Sequence, residues 1–136
     1  MKKVAIICLT VIAMLCASCS KEYDAERCKQ LSFKIETRQE LAQQDYADMI
    51  SQSEHILRYL IDKTADVSTL PAARRSQAEA NMRADDDFLE RFGYMFTFSS
   101  VLYRAHLAGL LDADNTAAYE ALDHSADRYA RLCENI

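Results

Sequence analysis

The sequence predicts an all-α protein, an antiparallel bundle of four to five helices behind a cleaved amino-terminal signal. Three observations carry this. Only Gly93, Gly109 and Pro71 interrupt the 136 residues, and good helix formers (Ala, Leu, Gln, Glu, Arg) are abundant. Apolar residues recur at three- and four-residue steps through most of the chain. No run of alternating β-branched residues is long enough for a strand, and the nearest, residues 31–35, sits inside a helical pattern.

The first element is an export signal in three parts. Lys2 and Lys3 give a positive start, residues 4–15 are apolar except Thr10, and Cys16, Ala17 and Ser18 are small. Twelve apolar residues reach about 18 Å as a helix, less than the ~20 residues that span a bilayer, so a transmembrane anchor is disfavoured. The small residues before Cys19 resemble the lipobox of bacterial lipoproteins, with Cys16 standing where leucine is usual. The resemblance implies a thioether lipid on Cys19, cleavage just before it and acylation of the new amino terminus. One acyl chain binds membranes marginally, whereas several give a stable anchor. Ordinary cleavage after Ser18, leaving a soluble protein, is the alternative. The expected layout is a signal at 1–18, a lipidated tether at 19–24 and one helical-bundle domain at 25–136. The tether, residues 20–24, resembles the lysine and acidic tags that send some lipoproteins to the cell surface. It also reads as a plain solvated linker, so an outer-membrane lipoprotein facing either the periplasm or the surface is expected.

The helices follow in order. Asp24 is a good N-cap, and Ala25, Cys28, Leu31 and Ile35 mark one helical face. The pattern weakens at residues 37–41, where a break is expected. It resumes with Leu41, Tyr46, Met49, Ile50, Ser53, Ile56, Leu57, Leu60 and Ile61, and is expected to end near Ala65. Residues 66–71 form the clearest loop, with Ser68 or Thr69 as cap and Pro71 in the next first turn. Residues 72–84 have high helix propensity and almost no large apolar side chains, so this helix is expected to be peripheral.

The run Asp85-Asp86-Asp87 reads as a cap, with Asp87 and Glu90 resembling a capping box; it lacks the glycine-containing loop of calcium motifs. Phe88, Phe92, Met95, Phe96, Ser99, Leu102, Tyr103, His106, Leu107 and Leu110 are expected to line the buried face of the central helix. Gly93 and Ser99 would let a neighbouring helix approach closely. Residues 112–115 end that helix and cap the last one, whose buried stripe is Tyr119, Leu122, Ala126, Tyr129 and Cys133. Residues 36–50 and 110–122 are similar to segments of small helical envelope lipoproteins of unassigned function, although Ala42 stands where those proteins often have a threonine cap. This second resemblance covers only part of the chain, and implies a helical fold and no activity.

Removal of Cys8 and Cys16 with the signal, and of Cys19 to lipid, leaves Cys28 and Cys133. In an exported chain they fit one disulfide, but they also fit two buried thiols. Loss of Lys2 and Lys3 leaves 14 basic against 21 acidic residues, a net charge of −7 that argues against nucleic acid and against anionic surfaces. His55, His106 and His124 belong to no H-E-x-x-H or Glu-x-x-His motif, and His106 on an apolar face reads as a hydrogen-bonded core histidine. There is no G-x-S-x-G, phosphate loop or dinucleotide fingerprint. No enzyme activity, metal or cofactor is expected.

Two functions remain. The favoured one is a lipid-tethered module that binds a protein or supports an envelope assembly, presenting an exposed apolar patch of more than a few hundred Å². The alternative is a small-ligand or inhibitor-type binder with an enclosed apolar groove beside residues 88–103, from Phe88 to Tyr103, of roughly 300 Å³ or more.

Overall fold

A computed structural model describes residues 22–117, 119, 120, 122–125 and 127. Among them every regular element is helical, and the fold is an all-α bundle. Helix α1 spans Ala25–Glu36, α2 Gln43–Ser68, α3 Ala72–Arg83 and α4 Asp86–Leu107. A short 3-10 turn at Ala113–Asn115 leads into a C-terminal helical segment from residue 116. The principal pair is α2 with α4; α1 and α3 each pack on both. Cys19 and Cys133 lie outside the described residues, as do Ala126 and Tyr129 of the expected last stripe. No described helix is long and apolar enough to cross a membrane.

Helix α1 starts as the sequence implies. Asp24 accepts from the Arg27 N–H at 3.1 Å, and Cys28 and Leu31 are fully buried. The expected break after it is present. Arg38 sits at φ 54°, its N–H donating to Ile35 O at 3.1 Å while Gln39 N–H donates to Lys34 O at 2.9 Å. These two bonds end a helix in a Schellman turn, here with arginine in the left-handed position that glycine usually takes.

Helix α2 has Ala42 as N-cap with no side-chain acceptor, and Asp45 reaches back to accept from the Ala42 N–H at 2.9 Å. It buries Met49, Ile50, Ser53, Ile56 and Leu60 as expected, but Ile61 is half exposed. It also runs to Ser68 rather than stopping near Ala65, because hydroxyls close its last turn. Ser68 Oγ donates to Ala65 O and Thr69 Oγ1 to Asp66 O, both at 2.9 Å. Pro71 then disfavours helix at Leu70 and itself serves as the α3 N-cap, in place of Ser68 or Thr69. Helix α3 buries no residue, in line with its few large apolar side chains.

The cap of α4 is Asp85, whose Oδ1 accepts from Asp87 N–H at 3.0 Å and Phe88 N–H at 3.4 Å. Asp87, the expected cap, instead accepts from Arg91 Nε at 3.3 Å. The buried face of α4 comprises Phe88, Tyr94, Met95, Phe98, Ser99, Leu102 and Ala105. Phe96, Tyr103 and Leu107, placed inward by the sequence reading, point outward, and Leu110 lies beyond the helix end. The reason is geometric: residues 96 and 98 are about 200° apart around a helix, and the core takes the Phe98 side. Tyr94 stacks on Phe98 at 5.9 Å, and Leu31, Met49, Ile56, Leu60, Met95, Phe98, Leu102 and Leu122 are all less than 2% exposed. Each such residue contributes about 1.5–3 kcal/mol of burial. Gly109 at φ 72° ends the helix, with Leu110 N–H on Ala105 O at 2.9 Å.

Candidate functional site

Helix α4 carries a second apolar stripe on the side away from the core. Leu89, Gly93, Phe96, Ser100, Tyr103 and Leu107 follow one another at alternating steps of four and three, and all six are exposed. Phe96 and Leu107 are 56% and 68% exposed. A period of 3.5 residues is the spacing of a helix seam that meets another helix. Full aromatic side chains present roughly 150–250 Å² each. At these exposures the stripe offers on the order of 400–500 Å², within the roughly 300–600 Å² of the largest apolar patch on a typical monomer, which is often functional.

Gly93 sharpens the picture. A Cβ built there meets nothing within 4 Å, and its φ is not in the left-handed region. A glycine inside an exposed helix is less stable than alanine by about 1 kcal/mol. Nothing within the described fold requires it, so the close approach expected of Gly93 within the bundle is absent. Ser99, its expected companion, is buried in the core.

One border of the stripe is aromatic. The Tyr119 ring stacks on Tyr103 at 5.7 Å and on His106 at 5.5 Å. Burial, then Asp123 and Tyr103, push the Tyr119 hydroxyl up to about 12. His106 is thus half-buried against a tyrosine; His55 is half-buried and His124 exposed. The other border is charged. Asp86 and Arg104 are both exposed there, and neither has an ion-pair partner among the described residues.

Of the residues expected beside a ligand groove, Phe88, Tyr94 and Phe98 are buried in the core and Tyr103 is exposed. An open recess of about 690 Å³ lies between the start of α1 and the first half of α2, lined by Tyr23, Asp24, Arg27, Asp48, Ser51 and Gln52 among others. Its cation is already engaged: Arg27 Nε donates to Asp48 at 2.8 Å and Arg27 Nη2 to Asp45 at 2.8 Å. Lys34 Nζ adds a second bond to Asp45 at 3.0 Å. Burial pushes the Asp45 carboxyl up, but the Ala42 N–H, Lys34 and Arg27 outweigh it, and the net is a fall from 3.8 to about 2. Gln52 Oε1 accepts from Asp24 N–H at 2.9 Å and from Cys28 Sγ at 3.6 Å. The arrangement clamps α1 to α2 and leaves no unpaired cation for an anion.

No group of three or more metal-ligating side chains is assembled among the described residues. No family model, curated protein or solved structure matches this chain. The outer stripe of α4 is the surface that sequence reasoning missed. Its signal was the four-three stepping from Leu89, which runs beside the stepping of the buried face.

Proposed function

We propose that this chain is a lipid-tethered helical module of the cell envelope that acts without catalysis, binding a protein through the outer face of α4. The supporting observation for the tether is the lipobox-like run ending at Cys19. For protein binding it is the six-residue stripe from Leu89 to Leu107, a largely apolar seam with no partner in the described fold. The acidic balance of the chain supports a protein partner over nucleic acid.

Two experiments test the reading. Cys19→Ala in the full chain releases the protein from membranes and abolishes palmitate labelling; lipid remaining on that variant overturns the anchor. A photo-crosslinking residue in place of Phe96, in intact envelopes, yields a discrete protein adduct, while one in place of the exposed Ala80 on α3 does not. No adduct from position 96 overturns the binding face.

A further inference from the structure

We infer that the partner of the α4 outer face is the same face of a second copy of this chain, the two helices antiparallel. This rests on the protein-binding reading above and names its partner.

Three features of one helix fit one register. Gly93 leaves a notch in the stripe, with open space where a side chain would stand, and Phe96 is a protruding ring three residues on. When two antiparallel copies cross near residue 95, each Phe96 falls opposite the partner copy's notch. Asp86 and Arg104 are separated by eighteen residues, which at about 3.6 per turn is five turns, so they lie in line along one edge of the stripe. In the same register the Asp86 of each copy meets the Arg104 of the other, and the twofold axis makes the pair twice. These are two exposed charges that have no ion-pair partner among the described residues. A parallel twofold pair would carry this edge of the second copy to the far side of the seam, where neither Asp86 nor Arg104 meets its opposite charge on the other copy. Antiparallel pairing is therefore the arrangement the charges select.

Two stripes, each on the order of 400–500 Å², together offer about 800–1,000 Å², the size of a small, weak interface, which the shared lipid surface would help by concentrating the copies. A flat anionic membrane is a poorer occupant, because Asp86 and Glu90 sit beside the stripe and the chain as a whole is acidic.

The test uses the full chain, produced in one cell as two copies with different carboxy-terminal tags. Isolation of one tag from gently solubilised envelopes recovers the other. Phe96→Asp lowers that recovery at least tenfold. Gly93→Leu lowers it as much by filling the notch, and because no atom lies within 4 Å of the added Cβ, this variant keeps the fold and its circular dichroism. Asp86→Arg and Arg104→Asp each lower recovery when both copies carry the same change. One copy of each restores it, since every facing pair is then opposite in sign.

Untouched copies that fail to recover each other overturn the inference, as do variants with unchanged recovery. A position-96 adduct to a different protein, without recovery between copies, overturns self-association while keeping the binding face. No adduct at all overturns both.

Discussion

The Arg91 guanidinium lies 3.8 Å from the centroid of the Tyr59 ring and 4.3 Å from that of Tyr23. One planar cation of α4 is thus held between a ring of α2 and a ring just before α1, while Asp87 accepts from its Nε. The side chain is only 20% exposed, so the cation–π contacts are partly desolvated, at about 0.5–2 kcal/mol each. Arg91→Met, which keeps most of the volume, is expected to lower unfolding stability by about 1–3 kcal/mol. Arg91→Lys recovers only part, because an ammonium has no flat face to stack. Urea denaturation midpoints of the three proteins check this, and a methionine variant as stable as the parent refutes the role given to the sandwich.

Asp45 makes a prediction about acid. Its carboxyl is 3% exposed and titrates near 2 instead of 3.8. A depressed native value means the stabilisation is complete above the unfolded value of 3.8 and is lost as pH falls through about 2. The amount is about 2 kcal/mol. Asp45→Asn removes that pH dependence and is itself less stable at neutral pH, because Lys34 loses its anion and Arg27 keeps only Asp48. Unfolding free energies of both proteins at pH 6, 4 and 2.5 should converge toward low pH. Parallel curves would show that Asp45 is not the titrating group.

The network around Asp45 also shows where the sequence falls silent. The helices were legible because apolar spacing is a local signal, and the break at Thr37, the exposed α3 and the buried Leu31, Met49, Ile56 and Leu102 all follow from it. Arg27, Asp45, Asp48 and Gln52 carry no local mark of their pairing, since it joins residues 18 to 28 positions apart. The three aspartates at the start of α4, Asp85 to Asp87, each have cap chemistry. Asp85 is the cap because α3 runs to Arg83, leaving only Ala84 and Asp85 between the helices. Helix α4 has two apolar stripes, and spacing alone does not say which one meets α2. Tertiary packing chose the Tyr94–Phe98 side, which turned Phe96 and Tyr103 outward.

Cys28 is fully buried as a thiol in this fold, and burial, with Asp24 and Glu90 next, pushes it up to about 12. Thiolate is the reacting form, so Cys28 is expected to resist alkylation at pH 8 in the folded protein by at least about 100-fold relative to the unfolded chain. Full alkylation in denaturant without reductant is the expected end point. A Cys28 that becomes reactive only after reduction would instead establish the disulfide with Cys133.

Helix α3 is the element most loosely bound to the rest. It buries no residue, Met82 is the one apolar side chain it packs against the core among the described residues, and its N-cap is Pro71, which offers no side-chain acceptor. Over a similar length, α4 commits Tyr94, Met95, Phe98, Ser99, Leu102 and Ala105 to the interior. Amides of residues 72–83 should therefore exchange with solvent at least about tenfold faster than those of 94–105. A core substitution separates the two modes of opening. Phe98→Ala costs about 3–5 kcal/mol and should erase much of the protection in α4, whose amides exchange by global unfolding. It should leave α3 nearly unchanged, because α3 already opens by itself with little apolar surface to expose. Hydrogen-exchange mass spectrometry on both proteins reads each segment directly. Equal protection in the parent, or equal loss in the variant, would mean that α3 is held by the same cooperative core as α4.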